Sequence, residues 1–172
     1  MIGMIQVTPE ELYFLGRIMK AKYIDYSYYA AMKDIQKQFD ICERKALSGL
    51  GEKNLIDESF SGEIEVPEEV SSLMYPVFFG TRESRLRSDQ TYTFHIGPDT
   101  VTMGLYNEYE GSITFMSVSD RDLEKLLKRD CVITCADIET GYTEKRYTAQ
   151  ELSDSKIKKE ALCVLKGGKG NA

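Results

Sequence analysis

Hydrophobic positions near the start of the chain repeat at the spacing of a helix. Thr8-Pro9-Glu10-Glu11 supplies a threonine cap, a proline at the first helical position and a glutamate three residues after the cap. Leu12, Leu15, Ile18 and Met19 follow at the intervals of one helix face. The pattern therefore predicts an amphipathic first helix.

Two further helices and a short hairpin are predicted before residue 66. A second helix can start at Asp25, and a third can start at Phe39-Asp40 and end at Ser48-Gly49, where glycine can adopt the left-handed cap conformation. Short extended pieces on either side of Ser61-Gly62 complete the segment. Three helices followed by a hairpin is the order of a winged-helix unit, so we predict a winged-helix-like lobe over residues 5–66.

The period of the hydrophobic positions changes in the middle of the chain from helical to alternating. A helix begins at Pro67-Glu68-Glu69, after which apolar and polar residues alternate in Thr91–Ile96, Val101–Tyr106 and Ile113–Val118. Gly97-Pro98-Asp99 marks the first turn between these strands. The alternation predicts a three-stranded antiparallel meander.

The last third of the chain is predicted to add helices and two strands. Ser119 with Asp122 and Thr148 with Glu151 are capping boxes, and the second box opens a final helix that is broken near Ser153. Between the boxes, the sequence predicts strands from Cys131 to Ile138 and from Tyr142 to Tyr147.

Together these elements predict a single compact α+β domain. Its N-terminal winged-helix-like helical lobe packs on an antiparallel β-meander sheet with flanking helices. The predicted sections are the lobe (5–66), the sheet with its helices (67–148), the C-terminal helix (149–166) and a frayed tail (167–172).

Composition limits the classes of function. The 172 residues include 22 Lys+Arg and 28 Asp+Glu, for a net charge of −6, which disfavours phosphate-rich partners. No apolar run reaches the roughly 20 residues of a membrane span. Without a secretory leader, we expect a cytoplasmic protein whose four cysteines are reduced thiols.

The chain has few residues with which to build a catalytic or metal site. His95 is the single histidine, and we expect it on an open face of the sheet among threonines. Cys131 and Cys135 are separated by about 13 Å along their predicted strand, too far to share one zinc ion. We therefore predict no enzyme activity, no catalytic residue, no metal and no cofactor.

The order of elements resembles the EspG-type chaperones of type VII (ESX) secretion, and more closely their small relatives in Gram-positive secretion loci. The similarity covers residues 5–130 and is a pattern of apolar spacing. The matching segments are Val7-Thr8-Pro9-Glu10-Glu11-Leu12, Leu47-Ser48-Gly49-Leu50, Leu55-Ile56 and the three strands Thr91–Ile96, Val101–Tyr106 and Ile113–Val118.

This resemblance implies a cytosolic chaperone or adaptor, without enzyme activity, that binds a helical secretion substrate and passes it to the secretion machinery. Exposed apolar tips of helical hairpins aggregate unless a partner covers them. In that family the sheet and the C-terminal helices form the binding surface. The corresponding partner-binding residues here are Tyr106, Asn107, Tyr109, Ile157, Leu162 and Leu165.

A small-molecule sensor, or an enzyme that uses a carboxylate base such as Asp137, is one alternative that the sequence leaves open. A winged-helix transcription regulator is the main alternative. Its third helix would present Arg44 and Lys45 to DNA. However, residues 1–66 contain 8 Lys+Arg and 11 Asp+Glu, a net charge of 8 − 11 = −3. Because DNA binding needs a basic face, the sequence favours protein contacts over nucleic acid.

Overall fold

The computed structural model describes residues 3–22, 35, 37–137, 139 and 141–168. The helices of this part of the chain are α1 (Pro9–Ile18), α2 (Phe39–Glu52), α3 (Glu68–Phe79), α4 (Asp120–Leu126), α5 (Ala149–Leu152) and α6 (Ser155–Leu165). The strands are β1 (Met4–Val7), β2 (Asp57–Glu58), β3 (Ile64–Glu65), β4 (Arg82–Arg87), β5 (Thr91–Ile96), β6 (Val101–Asn107), β7 (Ser112–Ser117), β8 (Cys131–Asp137) and β9 (Gly141–Tyr147). The helix predicted from Asp25 lies outside the described residues.

Seven strands form one antiparallel sheet in the order β1-β7-β6-β5-β4-β8-β9, and β2 and β3 form a separate hairpin. The helices and this sheet confirm the predicted α+β class with an antiparallel sheet. The winged-helix character of the N-terminal lobe stays a prediction.

Strand β4 is an element that the sequence pattern did not predict. It lies inside the sheet and pairs along its whole length with β5 on one side and β8 on the other. Only Ser84 and Leu86 of this strand are buried, and its other four residues are charged. The predicted three-stranded meander is therefore one strand too short, because β4 precedes β5 in the chain and pairs with it.

Three of the predicted helix starts are confirmed. Thr8, Ser119 and Thr148 each accept a hydrogen bond from the backbone N–H three residues later, and the carboxylate at that later position accepts one from the cap backbone. The predicted break near Ser153 separates α5 from α6, and Asp154 caps α6.

The predicted end of the third helix at Ser48-Gly49 is wrong. Helix α2 continues through Gly49 to Glu52, and the left-handed conformation occurs later, at Asn54 (φ 59°). A Cβ atom at position 49 would collide with the Glu11 carboxylate. Glycine at this position therefore lets α2 pack closely against the Glu11 side chain, and it does not end the helix.

The chain divides into two compact units, and each unit contains two stretches of sequence. Unit 1 comprises the described residues within 1–79 and 106–115, and unit 2 those within 80–105 and 116–172. In unit 1, buried residues of α1 and α3 pack with Ile5, Val7, Ile113 and Phe115. In unit 2, buried residues of α4 and α6 pack with Leu86, Phe94 and Ile133.

Among the described residues, no helix combines the length and the apolarity that a membrane span requires.

Candidate functional site

The turn between β6 and β7 presents an aromatic side chain on a fixed backbone. The Asn107 carbonyl Oδ1 accepts hydrogen bonds from the backbone N–H groups of Tyr109 (3.0 Å) and Glu110 (3.2 Å). Gly111 ends the turn with a positive φ of 62°, which glycine adopts without strain. Tyr109 is fully exposed, and Tyr106 is 36% exposed. The hydrogen bonds therefore fix the backbone at Tyr109, while its side chain projects into solvent.

The charges around Tyr109 are negative. Glu108 and Glu110 flank it, and both are exposed. The Ser112 hydroxyl donates to Glu110 Oε2 (3.5 Å) and accepts from Gln6 Nε2 of β1 (3.1 Å). These contacts tie the turn to the neighbouring strand, and we call residues 106–110 the tyrosine turn.

Among the residues that the structure describes, unit 1 contains most of the exposed large apolar side chains. Besides the two tyrosines of the turn, these are Met4, Ile41, Phe60, Ile64 and Tyr75. Phe60 is fully exposed at the tip of the β2–β3 hairpin, where the Ser59 and Ser61 hydroxyls hydrogen-bond to each other. Phe60 is not among the predicted partner-binding residues, although an aromatic residue within the turn sequence Ser-Phe-Ser-Gly indicates an exposed apolar side chain.

The predicted partner-binding residues fall into two groups. Tyr106, Asn107 and Tyr109 belong to unit 1, and the three residues of α6 belong to unit 2. In α6, Ile157 and Leu162 are half-buried against the core of unit 2. Leu165 has no exposed surface, so the structure assigns it to that core and removes it from the predicted partner-binding set.

The alternative DNA-binding residues lie on α2. Arg44 and Lys45 are both exposed there. The same helix contains the acidic residues Asp40, Glu43 and Glu52, so its net charge is 2 − 3 = −1. The described helix as a whole is therefore not basic, whereas DNA binding requires a basic face.

His95 lies inside the sheet, and its predicted place on an open face is wrong. It is only 4% exposed, and in register it stands between Glu83 of β4 and Thr102 of β6. The alternating pattern correctly predicts strand β5, but alternation does not show which faces of the sheet are covered.

Cys131 and Cys135 lie on one strand, β8, as predicted. Burial raises the pKa of both thiols, and the nearby Asp130 carboxylate raises that of Cys131 further. A raised pKa favours the unreactive thiol form. In the described part of the chain, no group of three or more His, Cys, Asp or Glu side chains is arranged to hold a metal ion.

A cavity of about 450 Å³ lies in unit 2 beside α6 and the β8–β9 hairpin. Its walls include Arg82 and Lys145. Arg82 Nε donates to Asp137 Oδ2 (2.8 Å), and Lys145 Nζ donates to Glu160 Oε1 (2.9 Å). Both cations are thus paired with carboxylates of the same unit.

No protein-family model matches the chain, and no curated protein matches its sequence.

Proposed function

We propose that the protein is a non-enzymatic chaperone or adaptor that binds a helical substrate of a type VII secretion system, and that the tyrosine turn contacts this substrate. The observation that supports the proposal is the fully exposed Tyr109 side chain on a turn that Asn107 fixes. Tyrosine is enriched among the residues that dominate protein interfaces. A turn whose backbone is already fixed loses less entropy on binding than a mobile one.

The chemistry of the turn also indicates the kind of substrate surface that it fits. The tyrosine ring contributes apolar area, and the carboxylates of Glu108 and Glu110 flank it. A complementary surface on the substrate contains an apolar position at the tip of a helical hairpin with lysine or arginine nearby. Covering that tip keeps the substrate soluble.

The experiment is an affinity purification of the tagged full-length chain from an extract of its own cells, followed by mass spectrometry and an assay for bound nucleic acid. The recovered protein is then titrated against the wild type and Tyr109→Ala. We expect the substitution to raise the Kd about thirtyfold, or about 2 kcal/mol, as removal of an interface tyrosine does.

Tyr142→Ala is the matched control. Tyr142 is 67% exposed, and it belongs to unit 2, outside the tyrosine turn. We expect this variant to bind like the wild type. Equal affinities for the wild type and Tyr109→Ala would overturn the proposed contact. Recovery of a partner that is not helical would overturn the proposed substrate class.

The transcription-regulator alternative has one observation in its favour, the exposure of Arg44 and Lys45 on α2. The net negative charge of that helix opposes it. Recovery of DNA without a protein partner would favour this alternative, and Arg44→Ala with Lys45→Ala would then be expected to abolish DNA binding.

A further inference from the structure

Strand β9 forms an edge of the sheet in unit 2. The strand order ends at β9, whose residues Gly141–Tyr147 pair with β8, and in the described part of the chain no strand pairs with the other side. An edge strand has backbone N–H and C=O groups that can pair with a further strand.

The edge at β9 lacks most of the features by which proteins prevent such pairing. Natural edges are shortened, interrupted by proline, distorted by a bulge or protected by charged side chains. The opposite edge, β1, has only four residues. Strand β9 has seven, contains no proline and pairs with β8 at every position from Gly141 to Tyr147 without a bulge. Of these protective features, described strand β9 has only charged side chains.

Those charges are distributed over the two faces of the strand. Lys145 Nζ forms an ion pair with Glu160 of α6 (2.9 Å) and so faces the helix. Because side chains alternate along a strand, Glu144 and Arg146 lie on the opposite face. The Arg146 side chain is 76% exposed and the Glu144 side chain 38%, and they approach each other only to 4.0 Å. Both remain accessible to a partner of opposite charge.

We propose that β9 pairs antiparallel with β9 of a second copy of this chain, around a twofold axis at Lys145. In a continuous antiparallel sheet, directly opposed residues point to the same face. A symmetric pair of identical strands therefore has one residue that faces itself across the axis.

Among the three consecutive charged residues of β9, the charge pattern selects that residue. With an axis at Glu144, the Glu144 side chains of the two copies would face each other, and with an axis at Arg146, the two Arg146 side chains would do so. Like charges directly opposed on neighbouring strands destabilise a sheet. With the axis at Lys145, Glu144 faces Arg146 of the second copy, and the reverse pair forms by symmetry. The two lysines at the axis are already neutralised, each by Glu160 of its own chain.

The dimer is expected to be in equilibrium with the monomer. Pairing of one short edge strand buries less area than the roughly 1,200 Å² of stable protein interfaces. We therefore expect a dissociation constant in the micromolar range that increases with salt, because exposed ion pairs are screened.

Charge reversal tests the pairing by sedimentation velocity of the full chain over a concentration series. Glu144→Arg alone and Arg146→Glu alone oppose like charges, and each is expected to raise the dissociation constant about tenfold or more. The double variant Glu144→Arg with Arg146→Glu restores both ion pairs and is expected to restore dimerisation. Circular dichroism and thermal unfolding check that these exposed substitutions leave the fold intact.

Cysteine cross-linking tests the register. Opposed residues have Cα atoms about 4.5–5.5 Å apart, which a disulfide can bridge, whereas diagonal residues are about 7–8 Å apart. In a Cys163→Ser background, which removes the exposed native thiol, Lys145→Cys is expected to cross-link rapidly and Glu144→Cys slowly.

Three results would overturn the inference. A chain that stays monomeric at millimolar concentration has no such pairing. A dimer that tolerates both single charge reversals uses another surface. Faster cross-linking of Glu144→Cys than of Lys145→Cys places the axis at Glu144.

Discussion

Tyr147 places its hydroxyl in the core of unit 2. The side chain is buried, and no hydrogen-bond partner for the hydroxyl is found among the described residues. Burial, followed by the nearby Glu160 carboxylate, raises the pKa of Tyr147 from 10.0 to about 12. Burial disfavours the charged phenolate, so the folded chain holds this proton more tightly than the unfolded chain does.

This pKa predicts a loss of stability in alkali. As the pH rises above 10, the unfolded chain loses the Tyr147 proton while the folded chain keeps it, up to about pH 12. Deprotonation therefore favours unfolding over this interval. We expect the free energy of unfolding in urea to fall more steeply with pH for the wild type than for Tyr147→Phe. Near neutral pH the two should agree to within about 1 kcal/mol, because the hydroxyl has no described partner to lose. Identical pH slopes would contradict the prediction.

At the scale of elements, Glu11 links two helices. Its Oε1 atom accepts a hydrogen bond from the Thr8 backbone N–H (2.8 Å), which completes the cap of α1. The same atom accepts one from Lys53 Nζ (2.6 Å) at the end of α2. Because Gly49 has no Cβ, α2 can approach this carboxylate closely. One buried glutamate thus joins the start of α1 to the end of α2.

Substitution of Glu11 should therefore cost more than an ordinary surface change. Glu11→Ala removes the carboxylate half of the capping box together with the ion pair, and we expect a loss of about 2 kcal/mol in the free energy of unfolding. Glu10→Ala is the control in the same helical turn, and we expect less than about 0.5 kcal/mol. Chemical denaturation of both variants measures the difference, and equal losses would show that Glu11 does not link the helices energetically.

At the scale of the whole molecule, chain order and compact units do not coincide. The sections predicted from the sequence are consecutive, whereas unit 1 combines residues from 1–79 with 106–115. Ile113 and Phe115 from the second stretch have no exposed surface and pack in the core of unit 1. Unit 1 is therefore complete only when strand β7 is present.

This interleaving predicts that residues 1–79 do not fold alone. Loss of a buried phenylalanine costs about 3–5 kcal/mol by itself, which is a large share of the roughly 5–15 kcal/mol that stabilises a domain. We expect the fragment to show poorly dispersed amide resonances and no cooperative thermal transition, unlike the full chain. A fragment with a dispersed spectrum and a sharp transition would show that Ile113 and Phe115 are dispensable.

The features that the sequence determined by itself are local. The capping boxes at Thr8, Ser119 and Thr148 involve residues three positions apart, and the strand alternation of β5 and β6 has a period of two. The physical cause of each signal lies within a few residues of the signal itself. The α+β class and the position of the tyrosine turn follow from these signals.

Only the tertiary structure decided which faces are covered. Strand β4 is rich in charge, yet pairing on both sides places it inside the sheet. The need for glycine at position 49 comes from the Glu11 carboxylate that packs against it. Leu165 and His95 are both buried by residues that are distant in the sequence. Burial depends on which elements meet in space, and a pattern with a period of two or 3.6 residues does not contain that information.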